Sequence, residues 1–269
     1  YQNGEYTQVW AELVALDSWI RDPDLIADAH AVARETMRRV AVNIDLLFRR
    51  LQAMDYEFRW PDAARCLPAP DINARLAEVE ARIGVLPLAL HAWYEIVGSV
   101  AFQGVFPPAL MQMMFDELGP DNLLIGPPDD FYLYSDALEI FSLNDLEKSW
   151  RPAKPDADTS ETDTWWGDQA HAKIAQDFVH KAGFSGGEFC GMQIPNLAID
   201  GPILGLPWCY STPSPWKDGM WFIIDPAPPV QFVEYLRICC YWGGFPGFAA
   251  AYATPPPFLR DLTQDLMPF

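Results

Sequence analysis

Basic residues are scarce in this chain: Lys and Arg number 18 against 37 Asp and Glu, a formal charge of −19 and a pI near 4.4. Nucleic acid and anionic membranes attract proteins through a cationic footprint, so we expect this chain to bind neither. Its complement is a basic protein partner; the plainer alternative is acidity that keeps a cytoplasmic protein soluble. Histidine is rarer still, with only four residues, His30, His91, His171 and His180. His171 and His180 lack a partner at helical i, i+4 spacing, so no HExxH-type metal site arises locally and we expect no metal and no cofactor. Cysteine is limited to Cys66, Cys190, Cys209, Cys239 and Cys240, an odd set with no CxxC spacing, which favours reduced thiols and a cytoplasmic setting over a disulfide framework. The pair 239–240 is expected to point to different sides of a helix.

Long apolar spans are missing too. Residues 238–258 run 21 positions without a charge, but Gly243, Gly244, Pro246 and Gly247 break the run early and Pro255–Pro257 break it late. A spanning helix is excluded there and a buried turn is expected. The chain begins at Tyr1 rather than Met, so we expect the natural start upstream; no visible stretch has the basic and apolar halves of a signal peptide. No GxSxG elbow is present, and Ser185-Gly186-Gly187 lacks the Lys-Ser/Thr of a phosphate loop and precedes a strand-like Phe189–Ile194, so it reads as a hairpin turn.

What is abundant is apolar and aromatic: 50% hydrophobic and 14% aromatic residues over 269 positions, enough for a real core in one large or two small domains. Glu5–Arg21 puts Val9, Trp10, Leu13, Leu16 and Ile20 on one helical face, and Asp22-Pro23 reads as the cap and first position of a second helix reaching about Met54. These form an N-terminal helical hairpin over 1–60, packed on a main α+β domain over 61–269. Arg34, Arg38, Arg39, Arg49 and Arg50 gather on the second helix among Glu35 and Asp45, as a solvated face.

Further on, Tyr56–Trp60 alternates like a strand ended by Pro61, and a Pro-rich loop leads to Asp71 as the cap of a helix over Ile72–Ile83. Gly84 ends it and Leu86-Pro87 restarts a helix with Pro87 at its first position; Leu90, Trp93, Tyr94 and Val97 recur at helical spacing before Gly98 and the strand Val100–Phe102. Pro108–Leu118 is a Met-rich helix with Met111, Met113, Met114 and Phe115, read as gap-filling core. Leu138–Phe141 is a strand, with Ser142 or Asn144 capping the helical turn that comes after it. Val233, Leu236, Arg237, Cys240 and Tyr241 give a helix with one buried face stopped by Gly243-Gly244. Leu259, Leu262 and Leu266 give a terminal helix over Phe258–Leu266, and Trp208–Asp225 reads as an inserted loop before a strand Trp221–Ile224.

Three of these stretches, IGVLPLALHAWYEIVGSVAFQG from Ile83, ALEIFSLNDL from Ala137 and VQFVEYLRICCYWGGFPG from Val230, resemble the SUKH superfamily, which includes many bacterial immunity proteins. The resemblance implies a mixed or antiparallel sheet packed with helices. It also implies a non-catalytic cytoplasmic protein that neutralises a toxin, commonly a nuclease, by binding it. The helical hairpin and the long insertions depart from a minimal member.

The candidate contact surface is the acidic loop 150–168, with Asp156, Asp158, Glu161 and Asp163 beside the Trp165-Trp166 pair, together with Asp129 and Asp130 of the Gly126–Asp130 loop. Exposed tryptophans next to charges make effective binding anchors. We expect a monomer or weak dimer. Two other readings stay open: a carboxylate-dependent, glycosidase-like hydrolase using the 11 tryptophans for sugar stacking, and a regulatory scaffold of the same fold.

Overall fold

The computed structural model describes residues 1–118, 137–140, 142–149, 175–180, 189–192, 202–203, 230–246, 248 and 252–269. Its spine is the second helix. Helix α1, Tyr6–Ala15, buries Trp10 and then stops, because Asp17 adopts a left-handed backbone at φ 47. Asp is among the few side chains that tolerate this conformation. The expected single helix to Arg21 is therefore broken, and a 3-10 turn over Asp17–Arg21 carries Ile20 into the core while leaving Trp19 74% exposed. Asp22 does cap the next turn: its Oδ1 accepts the Asp24 N–H at 2.9 Å and its carbonyl accepts the Ile26 N–H at 2.9 Å. Pro23 lies in this turn and not at the first helical position, so α2 spans Ile26–Ala53. Ala29, Ala33, Met37, Val40, Ile44, Leu47 and Leu51 line its buried face. Steps of three and four residues keep that stripe on one side over about 40 Å of helix.

Strands β1 (Glu57–Phe58) and β4 (Gly104–Val105) form a two-stranded antiparallel ribbon, and β2 (Arg65–Cys66), β3 (Ser99–Ala101) and β5 (Glu139–Ile140) form a three-stranded antiparallel sheet in the order β2-β3-β5. Between them lie α3 (Ile72–Ile83) and α4 (Leu88–Ala92), the latter widening into a π-helical turn over Trp93–Val97. Gly84, at φ 102, makes the chain reversal, and Pro87 precedes the helix instead of occupying its first turn, its carbonyl accepting the His91 N–H at 2.9 Å. The expected apolar stripe holds, with Leu90, Trp93, Tyr94 and Val97 all buried. Asp71 precedes α3 without a side-chain capping bond, whereas Ser142 does cap α6 (Leu143–Ser149), its Oγ accepting the Asp145 N–H at 3.3 Å.

A second antiparallel sheet runs β6 (Ala175–His180), β7 (Phe189–Met192), β8 (Pro202–Ile203) and β9 (Val230–Gln231). His180 pairs with Phe189, so β6 and β7 form the hairpin expected around Ser185. The strand expected over Trp221–Ile224 lies outside the described residues. Every strand pairing among the described residues is antiparallel, and with the helices this makes an α+β protein.

Helix α5, Pro108–Leu118, has the expected bounds; Met114 is buried while Met113 is exposed. Helix α7, Phe232–Tyr241, buries Val233, Leu236 and both Cys239 and Cys240, because packing covers the two sides to which adjacent cysteines point. Tyr241, expected on that face, is 55% exposed. Gly243 and Gly244 stop the helix at positive φ, and Leu138 donates to the Gly244 carbonyl at 2.7 Å, tying this turn to the start of β5. Phe106 sits at the centre of an aromatic cluster with Tyr56, Phe245, Phe248 and Phe258, ring centroids 4.8 to 5.9 Å away. Helix α8, Pro257–Thr263, docks through Phe258, Leu259 and Leu262, and the chain turns at Gln264 and Asp265 before ending on Phe269. The apolar core is continuous from Trp10 to Phe269.

Candidate functional site

Asp129, Asp130, Asp156, Asp158, Glu161, Asp163, Trp165 and Trp166, the candidate contact residues, lie outside the described residues. What the described residues do reveal is where the positive charge goes. Arg21 donates to the Leu86 carbonyl at 2.8 Å, Arg50 to the carbonyls of Leu262 and Gln264, and Arg237 to the Phe269 carbonyl at 2.8 Å. Arg39 donates to the Tyr6 hydroxyl at 2.8 Å and the Pro268 carbonyl at 3.2 Å, and Arg65 to the carbonyls of Cys66 and Val97. These guanidiniums stitch elements together through neutral main-chain and phenolic oxygens. Of the five arginines expected on a solvated face of α2, Arg34, Arg38 and Arg49 are exposed as expected, while Arg39 and Arg50 are turned to an internal clamp.

Ion pairs among the described residues include Arg34 with Glu95 at 2.7 Å, Arg38 and Arg39 sharing Glu35, Arg65 with Asp45 at 2.7 Å, and Arg237 with Glu234 at 3.3 Å. Cations used on carbonyls keep their charge but leave carboxylates elsewhere without a near neighbour. Asp24, Asp28, Glu57, Asp62, Glu78 and Asp116 all stand exposed. The surface therefore carries the acidic excess written in the composition.

One titratable cluster is not visible in the sequence. Where α2, α3 and α4 meet, Glu80 Oε1 accepts the Leu86 N–H at 3.1 Å and faces His91 Nδ1 at 3.2 Å, and the His91 ring lies edge-on to His30 with centroids 6.2 Å apart. Burial pushes the Glu80 carboxyl up, but the His91 hydrogen bond and charge, the Leu86 N–H and Arg21 together hold it below its ordinary value. Burial lowers His30, and the charges of His91, Arg21 and Arg34 add to that against Glu95. Helical spacing puts His91 on the polar side of its helix, and it is half-buried there. The only signal for the cluster is a histidine at Gly84 plus seven, too general to place Glu80 beside it.

A second buried polar pair joins the two small sheets. Glu139, 1% exposed, accepts from Gln103 Nε2 at 3.0 Å, and Arg59 reaches Gln103 Oε1 at 3.4 Å. Trp93 Nε1 is buried without a hydrogen-bond partner. Among the described residues no three His, Cys, Asp or Glu side chains converge to hold a metal, and no helix is long and apolar enough to cross a membrane. Cys66, Cys239 and Cys240 form no disulfide; burial and the neighbouring Cys239 push Cys240 up, which keeps it unreactive.

The fold and surface define an α+β protein with an acidic exterior and an arginine-clamped interior. Compared with known proteins, the chain matches no protein-family model, no curated protein and no solved structure.

Proposed function

We propose that this chain is a SUKH-like, non-catalytic immunity protein that neutralises a basic toxin domain, such as a nuclease, by binding it. The observation that carries this reading is the allocation of charge: 18 basic residues against 37 acidic ones, with the described arginines engaged mainly on the chain's own oxygens. Such a surface repels polyanions and steers a cationic protein into encounter. A nuclease groove built for phosphates is cationic, and carboxylates that occupy it block substrate without any chemistry. The three SUKH-like stretches supply the fold side of the argument, and the loop carrying Asp156, Asp158, Glu161 and Asp163, with Trp165 and Trp166 beside it, is the contact region.

The test is a variant with those four carboxylates changed to Asn or Gln, measured against the basic partner by stopped-flow association at low salt. Long-range steering accelerates association by about 10-fold or more, and added salt screens it. The reading expects slower association in the variant and a weaker salt dependence. Unchanged association with unchanged salt dependence would remove this loop from the interface.

A further inference from the structure

The segment after α8 is held in an unusual manner. Residues 264–269 form no strand and pair with none, yet side chains of one helix face grip their main chain in order. Arg50 donates to the carbonyls of Leu262 and Gln264, Asn43 pairs with both main-chain groups of Met267, and Arg39 donates to the Pro268 carbonyl at 3.2 Å. Asn43, 1% exposed, gives Nδ2–H to the Met267 carbonyl at 2.8 Å and accepts the Met267 N–H on Oδ1 at 2.7 Å. An amide side chain used this way imitates the edge of a β-strand.

Gln264 and Asp265 form the corner of a turn that the Leu266 N–H closes on the Thr263 carbonyl at 3.3 Å. Arg50, Asn43 and Arg39 meet Gln264, Met267 and Pro268 in that order, so the segment runs antiparallel to α2.

From the other wall, α7, Arg237 donates Nε–H to the Phe269 carbonyl at 2.8 Å and is braced by Glu234 at 3.3 Å, while its Nη2 is buried without a partner. Of the side chains in the segment, the Phe269 ring is sunk into the protein, at 6% exposure, and Leu266 is half-buried against the core. Gln264, Asp265, Met267 and Pro268 are exposed. The groove therefore reads main chain along its length and one aromatic ring at its end. Recognition of that kind does not depend on most of the occupant's sequence.

We propose that the α2–α7 groove is a peptide-binding site, filled in cis by residues 264–269, that accepts from a partner protein a segment gripped by its main chain and bearing an aromatic residue in the place of Phe269. This site is distinct from the acidic loop and does not rest on the toxin reading. Asp265, left-handed at φ 59, marks the point about which the segment peels away. The cis segment is a tethered competitor, present at an effective concentration on the order of 1 mM, so an outside peptide binds only when the tether's own grip is weakened.

The probe is a fluorescein-labelled, C-terminally amidated peptide of Gln264–Phe269, titrated into the full chain by fluorescence anisotropy. Phe269→Ala in the chain leaves the groove intact and removes the ring that anchors the cis segment. That variant is expected to bind the peptide at least tenfold more tightly than the unmodified chain. Adding Asn43→Ala, or replacing the peptide's own Phe by Ala, is expected to abolish the gain. Far-UV circular dichroism establishes that Phe269→Ala is folded. Should it not be, the unmodified chain is titrated with peptide to about 1 mM, the scale of the tether it must displace, and the Asn43 side-chain amide signals are expected to shift. No gain in the folded Phe269→Ala chain, a gain indifferent to Asn43, or unmoved Asn43 signals in the fallback overturns the proposal.

Discussion

Gly98 and Gly4 offer a matched pair for testing how the central sheet is built. Both have positive φ, 95 for Gly98 and 88 for Gly4, so replacing either by Ala imposes a backbone cost, at least about 1–2 kcal/mol, and Gly98, at ψ −115, lies outside the left-handed helical well. Their surroundings differ. A Cβ on Gly98 would lie 2.3 Å from the Cys66 carbonyl oxygen and 3.0 Å from Leu67 C and Pro68 N, all main-chain atoms, whereas one on Gly4 meets nothing within 4 Å. Relief at Gly98 requires moving the β2 strand, which pairs Cys66 with Ser99 and Arg65 with Val100. Arg65 in turn holds Asp45 of α2 and the Val97 carbonyl, so the shift spreads to the spine. Overpacking against a fixed neighbour costs about 1–3 kcal/mol beyond the backbone term. Gly98→Ala should therefore destabilise by about 2–5 kcal/mol and Gly4→Ala by about 1–2 kcal/mol. Urea denaturation followed by far-UV circular dichroism and tryptophan fluorescence reads both, with the midpoint shift interpreted at constant slope. Equal losses in the two variants would refute the close approach of β2 to Gly98.

Asn43→Ala should cost about 1–3 kcal/mol for its two main-chain bonds to Met267, and less in a chain already lacking residues 264–269, where its hydrogen bond with the Cys240 thiol is what remains; an undiminished cost in the shortened chain would contradict its grip on Met267. Gly104→Ala places a Cβ 2.2 Å from the Glu57 carbonyl and 2.6 Å from the Tyr56 ring, so thermal unfolding should show a loss of at least about 2 kcal/mol through the β1–β4 ribbon. Acid titration should show two separate losses. His30 is lowered below its ordinary 6.5, so the unfolded chain binds the extra proton first and stability falls as pH drops below about 6.5. Glu80 is lowered below its ordinary 4.5, so its share is present above that value and is lost as pH falls through the depressed folded value. His30→Gln should flatten the first slope and Glu80→Gln the second, in urea midpoints measured across pH.

Local signals are legible in the sequence wherever both ends of an element carry punctuation. Helix α3, between Asp71 and Gly84, and helix α5, opening on Pro108, have the bounds their residues announce. The β6–β7 hairpin is readable from Ser185-Gly186-Gly187 before the strand-like Phe189–Ile194, although β6 itself is not read as a strand. The break at Asp17 is not, because Leu16 and Ile20 continue the helical spacing straight through it; the competition between a long helix and the burial of Ile20 is decided by packing against α2. The arginines of α2 mislead for a similar reason. Arg39 and Arg50 look like part of the solvated face that Arg34, Arg38 and Arg49 do form, until residues more than 200 positions away supply carbonyls for them. Charge composition survives this correction and is strengthened by it, since an arginine bound to a carbonyl does not neutralise a surface carboxylate.

The central claim is that this acidic surface exists to hold a basic protein. It is tested most directly by affinity capture on the immobilised full chain from native extract, in parallel at low and high salt, with mass spectrometry of the retained proteins and a nuclease assay on each. A basic, nuclease-like protein held at low salt, diminished at high salt and silenced by the chain is the predicted result. Retention of no specific protein at either salt, or of one whose binding ignores salt and whose activity continues when bound, would contradict it.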